Sequence, residues 1–281
     1  KDHEKYGFDP VMFYGELYVP QVAKGLNIRV GRYISIPDIE AQLAPNNYTY
    51  SHSLLYSFDP YTHQGVVATM KLNKNWTVQG ELSVGSDITI FDKRNRKLTP
   101  GACINYTTDS GNDNFYPCIN GINDGEYAYN NLQMLVATWY HKFNAKWHMA
   151  SEGYYMWQRN VPNVNNPDAP PTILGSNGAQ CVPGDRTCRA SVNAFVNYIN
   201  YQFTPKDYIS LRNGFFKDSH GQRTGYKTLY SDHVIAWVHW IGDVITIRPE
   251  FRYDHSYDAK AYDGGRKSSQ YVFAADVIVH F

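Results

Sequence analysis

In the run ITIRPEFRYD, Arg248, Glu250 and Arg252 take alternate positions beside Thr246 and Asp254, while Ile245, Ile247, Pro249, Phe251 and Tyr253 take the others. A strand face with this much charge does not belong in a dry core, because burying unpaired charge is prohibitive. It faces water. The same alternation turns Glu16, Arg29, Glu81, Glu152, Arg212 and Asp276 to the watery side of their own strands. Arginines and carboxylates set across water make a transverse field that orients dipolar solutes and sorts ions; alternatively they pair within the wall and hold it together. Arg212, Arg248 and Arg252 outnumber Glu250 locally. A modest preference for anions is therefore expected, offset by Glu16, Glu81 and Glu152 on other strands.

Other chemistries find less support. Ser51, His52, Ser53 and His63 offer the residue types of a hydrolase, but no strained turn presents a nucleophile. His233 and His239 are six strand residues apart, about 20 Å, too far to share an ion. No glycine-rich phosphate loop or paired-cysteine zinc signature occurs. The chain thus reads as no enzyme, with no catalytic residue, metal or cofactor. Two features remain. The stretch NNYTYSHSLLYSFDPYTHQG lies between strands yet is rich in Tyr48, Tyr50, His52, Tyr56 and Phe58. It either folds into the lumen as a constriction or packs at a protomer interface. Cys103, Cys118, Cys181 and Cys188 form two local pairs, each read as lying inside a long polar loop, which fits two disulfides in an oxidising compartment.

The elements that position these residues are strands. Helical periodicity is nearly absent, and 24 Tyr, 13 Phe and 6 Trp in 281 residues favour pleated surfaces. TMKLNKNWTVQGEL gives the unit: apolar residues at alternate positions, a tight turn, and the same alternation again. About eleven strands follow, in one domain over residues 1–281. Short turns alternate with long polar connections over roughly 36–62, 86–130, 159–190, 217–228 and 256–269, the asymmetry of a transmembrane antiparallel up-and-down β-barrel. Aromatic residues gather near strand ends, as in interfacial girdles. Mean hydropathy is −0.50 and no apolar run is long enough for a transmembrane helix; a barrel needs only alternate apolar residues. The net charge is zero, which argues against nucleic acid.

FYGELYVPQVAKGLNIRVGRY, YQFTPKDYISLRNGFFKDSHGQRTG and IRPEFRYDHSYDAKAYDGGRKSSQYVFAADVIVHF resemble the OmpL-like β-barrel porins of Gram-negative bacteria. The resemblance implies an outer-membrane porin passing small hydrophilic solutes or ions by diffusion. A different class of role is a non-transporting barrel, a scaffold or sheath for a surface or electron-conduit complex. The implied partners are outer-membrane lipid, further copies in a homo-oligomer such as a trimer, and the barrel-assembly machinery, which reads a terminal aromatic like Phe281. Eleven is odd where bacterial barrels are normally even. The chain starts at Lys1 without the pattern of a leader. It therefore reads as the C-terminal portion of a longer barrel of 14–18 strands.

Overall fold

The computed structural model describes residues 10–35, 38–93, 95–126, 131–172 and 177–281. Its strands are β1 (Phe13–Val19), β2 (Leu26–Ile34), β3 (Thr62–Lys71), β4 (Trp76–Ser86), β5 (Thr99–Thr107), β6 (Asp113–Ile119), β7 (Gln133–Lys142), β8 (Trp147–Pro162), β9 (Thr187–Thr204), β10 (Asp207–Asp218), β11 (Thr228–Ile241), β12 (Ile245–Ser256) and β13 (Ser269–Val279). Every strand pairs antiparallel with the next, so the order in the sheet is the order in the chain; among the described residues β1 and β13 have one neighbour each. The connection between β2 and β3 carries a short helix, α1 (Leu54–Phe58), and a 3-10 turn (Ala44–Asn46). Among the described residues no helix is long and apolar enough to cross a membrane.

The two faces separate as the alternation predicts. On β11, Ile235 and Trp237 are 48% and 46% exposed, whereas Val234, Ala236 and Val238 are buried. On β12, Arg248 and Glu250 are buried and Phe251 is exposed. On β13, Tyr271, Phe273, Val277 and Val279 form the outer row. Short turns at 20–25, 72–75, 108–112, 143–146, 205–206 and 242–244 alternate with longer connections at 35–61, 87–98, 120–132, 163–186, 219–227 and 257–268.

The strand number departs from the sequence reading. Thirteen strands stand where about eleven were expected, because residues 86–130, read as one loop, contain β5 and β6. Both strands are short, and Pro100, Gly101 and Pro117 interrupt their patterns; proline and glycine normally mark turns. Their outer rows are nonetheless apolar: Ala102 and Ile104 on β5, Phe115 and Ile119 on β6.

This placement also revises the setting of the cysteines. The pairing is as expected, Cys103 with Cys118 and Cys181 with Cys188. However, Cys103 and Cys118 are direct partners in the β5–β6 ladder, 4.1 Å apart at Cα and buried on its inner side. They staple the wall rather than a loop. Cys188 is likewise a strand residue, on β9, and ties Cys181 of the preceding connection to it. Replacing Cys103 and Cys118 together by Ser removes roughly 3 kcal/mol of loop-closure stabilisation, against roughly 2 kcal/mol for the shorter Cys181–Cys188 loop. Thermal unfolding in detergent should show the β5–β6 variant lowering the midpoint more. The reverse order would mean that the staple adds nothing to the ladder.

Candidate functional site

The β2–β3 connection does not stand away from the sheet; it lies along the inner face. Outside a ladder its backbone groups need partners, and the charged side chains of the wall supply them. Glu250 Oε2 accepts the Tyr50 and Ser51 N–H groups at 2.8 and 3.1 Å. Arg248 Nη1 donates to the Asn47 carbonyl at 2.5 Å and Arg252 Nη1 to the His52 carbonyl at 2.8 Å. Arg212 donates to Thr49 Oγ1 at 3.2 Å and also to the Ser51 carbonyl. Glu152 Oε2 accepts the Ile39 N–H at 2.9 Å. Glu40, on the connection itself, accepts the Ser53 N–H and the Tyr198 hydroxyl. Hydrogen bonds to charged groups are the strong ones, roughly 1.5–3 kcal/mol each.

Apolar contacts complete the docking. Ser53 caps α1, its hydroxyl accepting the Tyr56 N–H. The helix carries Leu55, 2% exposed, into a cluster with Met134, Met156, Val192 and Phe216. Burying that one leucine contributes roughly 2 kcal/mol. Phe58 meets Phe216 at 5.1 Å, Tyr48 sits between His148 and Tyr198, and His52 stacks on Tyr56 at 4.3 Å. Tyr50 has its ring exposed and contributes only its backbone. The inner faces of β7–β10 thus include an apolar sector, which sequence reasoning missed. Its signal was present in β9, where Ala190, Val192, Ala194, Val196 and Tyr198 form an unbroken apolar inner row.

The wall arginines are matched by carboxylates. Arg248 pairs with Asp276 at 2.5 Å, Arg252 with Asp254 at 2.7 Å and Arg212 with Asp232 at 2.7 Å. Gly214 makes room for the last pair, since a Cβ there would collide with the Asp232 carboxylate. The free positive charge expected from these three arginines is therefore absent: each has a carboxylate, and Arg212 and Arg248 are 1% exposed. Glu16 and Arg29, paired at 2.9 Å, keep 41% and 34% of their side-chain surfaces open. Glu81 pairs with His63 at 2.5 Å, and His63 Nε2 lies 3.3 Å from Ser86 Oγ. That is the order of a hydrolytic triad, but Ser86 and His63 are 2% and 1% exposed, leaving no approach for a substrate carbonyl. Ser51 and Ser53 are engaged in docking the connection.

Acids gather on the other flank of the connection. Asp38 and Glu40, with Tyr56, line a cavity of about 420 Å³ whose opposite side carries Arg29, Tyr116 and Thr138. Burial, with the charge of Glu40 adding to it, pushes the Asp38 carboxyl up to about 7. Burial and then the charge of Asp38 raise Asp59 well above the usual carboxylate range. Anchoring by Glu250 is open to test. Glu250→Ala leaves two docked N–H groups without their acceptor, a loss of about 1–3 kcal/mol. Hydrogen exchange at Tyr50 and Ser51 should then speed by about tenfold or more, since 1.4 kcal/mol is a factor of ten. Unchanged protection would mean that the connection is held elsewhere.

With this geometry in hand, solved structures show what the sheet is similar to. The outer membrane channel DcaP of Acinetobacter baumannii superposes with a TM-score of 0.60 at 12% identity, over 91% of this chain and 73% of that one. A loop-deletion form of OmpT, an outer membrane protein of Vibrio cholerae, gives 0.59 at 9% identity, over 94% and 78%. The anion-selective porin of Comamonas acidovorans gives 0.54 at 8% identity, over 90% and 72%. OmpT also has a structure in a trimer form. At these identities the likeness is one of fold. No curated protein matches the sequence significantly. A family model, however, matches all of residues 1–281. The chain belongs to the family described as Putative beta-barrel porin-2, OmpL-like, and is a β-barrel protein of the Gram-negative outer membrane.

Proposed function

We infer that this porin forms a water-filled channel, narrowed by the connection over residues 38–59, for passive diffusion of small hydrophilic solutes or ions. One observation carries the reading: the connection is docked by its backbone on buried wall charges, inside the sheet, with a cavity bearing Arg29, Asp38 and Glu40 left beside it. The channel runs through that cavity. Arg29 lines it, with Glu16 paired to the guanidinium. Glu81, Glu152, Arg212, Arg248, Glu250, Arg252 and Asp276 serve the channel by holding the wall and the connection in place, and Tyr56 borders the passage. In planar bilayers the full-length protein should open ohmic channels, and removal of residues 42–58 should raise the unit conductance severalfold. Equal conductance in the two forms would remove the constriction. No conductance from either would favour a non-transporting scaffold or sheath.

The outer face supports a homo-oligomer. Ser151, Asn197, Asn213 and His233 are register partners across β8–β11. They hydrogen-bond in pairs, Asn197 to Ser151 at 2.7 Å and His233 with Asn213 at 2.9 Å. Around them are the outer residues Phe195, Leu211, Phe215 and Ile235. Polar side chains are expensive against lipid, so this row faces a second copy, as in a trimer. Phe281 is the corresponding feature for the barrel-assembly machinery. A benzophenone carried on Asn213→Cys should cross-link a second copy, while the same probe on Phe273→Cys should label lipid. The opposite pattern would move the interface to β13.

A further inference from the structure

Where the folded-in connection leaves and rejoins the wall, three carboxylates meet. Oxygens of Asp38, Asp59 and Glu152 lie within 4.8 Å of one another. Asp38 follows β2, Asp59 precedes β3 and Glu152 projects from β8. The cluster therefore joins both ends of the connection to a strand far along the sheet. Among the described residues no lysine, arginine or histidine forms an ion pair with any of the three. Asp232, Asp254 and Asp276 differ in this respect, each being matched by an arginine.

A second observation points to a ligand. Glu152 is 1% exposed, and although its Oε2 takes the Ile39 N–H, its Oε1 is buried without a hydrogen-bond partner. A carboxylate oxygen that has lost its water needs a donor or a cation in its place. The donor set specifies which cation. Carboxylates alone suit a hard divalent ion. Calcium binds oxygens at about 2.3–2.6 Å in a flexible shell, so oxygens across one shell lie up to about 5 Å apart. Asp38 also lines the cavity of about 420 Å³ beside the connection, which leaves room for an ion and its remaining water ligands to enter.

We propose that Asp38, Asp59 and Glu152 bind a divalent cation of the calcium class, which clips the base of the folded-in connection to β8. The ion joins three points that are distant in sequence, and with them the start and end of the segment that fills the lumen. The site stands apart from the channel reading, because it is tested without any measurement of conductance.

The full-length protein, folded in detergent and stripped with a chelator, is titrated with calcium chloride by calorimetry. One ion should bind per chain. Glu152→Gln and Asp59→Asn should each weaken binding by about tenfold or more, the scale of losing part of a metal site. Glu152→Gln keeps the shape of the side chain and removes a buried charge; heat-modifiable gel mobility checks that it folds. Calcium should also slow hydrogen exchange across 38–59 in the unaltered protein and not in the Glu152→Gln form. Magnesium acting in place of calcium, with the same dependence on Glu152, would support the site with a different ion. An absence of saturable binding overturns the proposal, as does binding unaffected by either substitution or without effect on exchange.

Discussion

A strand that crosses hydrocarbon must give each backbone N–H and C=O to a neighbouring strand, because lipid offers no substitute. The rest of this structure depends on that condition. Once the ladder holds the backbone, side chains are free to differ by face, one row for lipid and one for whatever lies inside. The ladder also determines which inner charges can meet. Arg29 stands opposite Glu16 in the β1–β2 register and Arg248 opposite Asp276 in β12–β13. Arg212 reaches Asp232 diagonally, across the space that Gly214 leaves. Register thus turns a row of single charges into a row of ion pairs.

The β2–β3 connection has no ladder, and the same condition acts on it in reverse. Its amides and carbonyls are irregular, and once inside the sheet they cannot all face water. The inner wall answers with charged and acidic side chains, and its arginines Arg212, Arg248 and Arg252 already hold a carboxylate. Arg248 and Arg252 keep their carboxylates while they donate to carbonyls of the connection. Glu250 takes two amides at once. Buried charge is tolerable where its hydrogen bonds are filled, and here the guanidinium groups of Arg212 and Arg248 and the irregular backbone satisfy each other. The charge on β12, which in sequence looks like a face turned to open water, is a docking surface.

That difference marks how far the sequence could be read. Alternation alone identified the antiparallel wall, its inner and outer rows, and the polarity of turns and loops, because period-2 patterning follows directly from the pleat. It undercounted by two strands where Pro100, Gly101 and Pro117 masked short apolar rows that Ala102, Ile104, Phe115 and Ile119 still carried. It assigned the right cysteines to each other but the wrong setting to Cys103 and Cys118, since a pair separated by 15 residues fits a hairpin as well as a loop. The aromatic excess of residues 48–58 matches a stretch whose Tyr48, Leu55 and Phe58 pack on the inner face. Its anchors could not be read, because Glu250 and Tyr50 are 200 residues apart and meet only when the sheet curves. The acid cluster is invisible for the same reason: Asp38, Asp59 and Glu152 share no local pattern.

The division of the inner face decides where space remains. Along β7–β9 the inner row carries an apolar patch, Met134, Met156 and Val192 among it, and α1 covers it with Leu55. At β10 and β12 the inner row is charged, and the backbone of the connection covers it. The side toward β2, β6 and β7, where Arg29, Tyr116 and Thr138 stand, has no such cover and keeps the cavity. Arg29 is already neutralised by Glu16, so the wall brings little net charge to that space. Asp38 and Glu40 are carried into it by the connection, and burial favours the neutral form of Asp38. The acidic groups at that cavity then come from the inserted segment more than from the wall, and residues that merely dock the segment act on the cavity through its position.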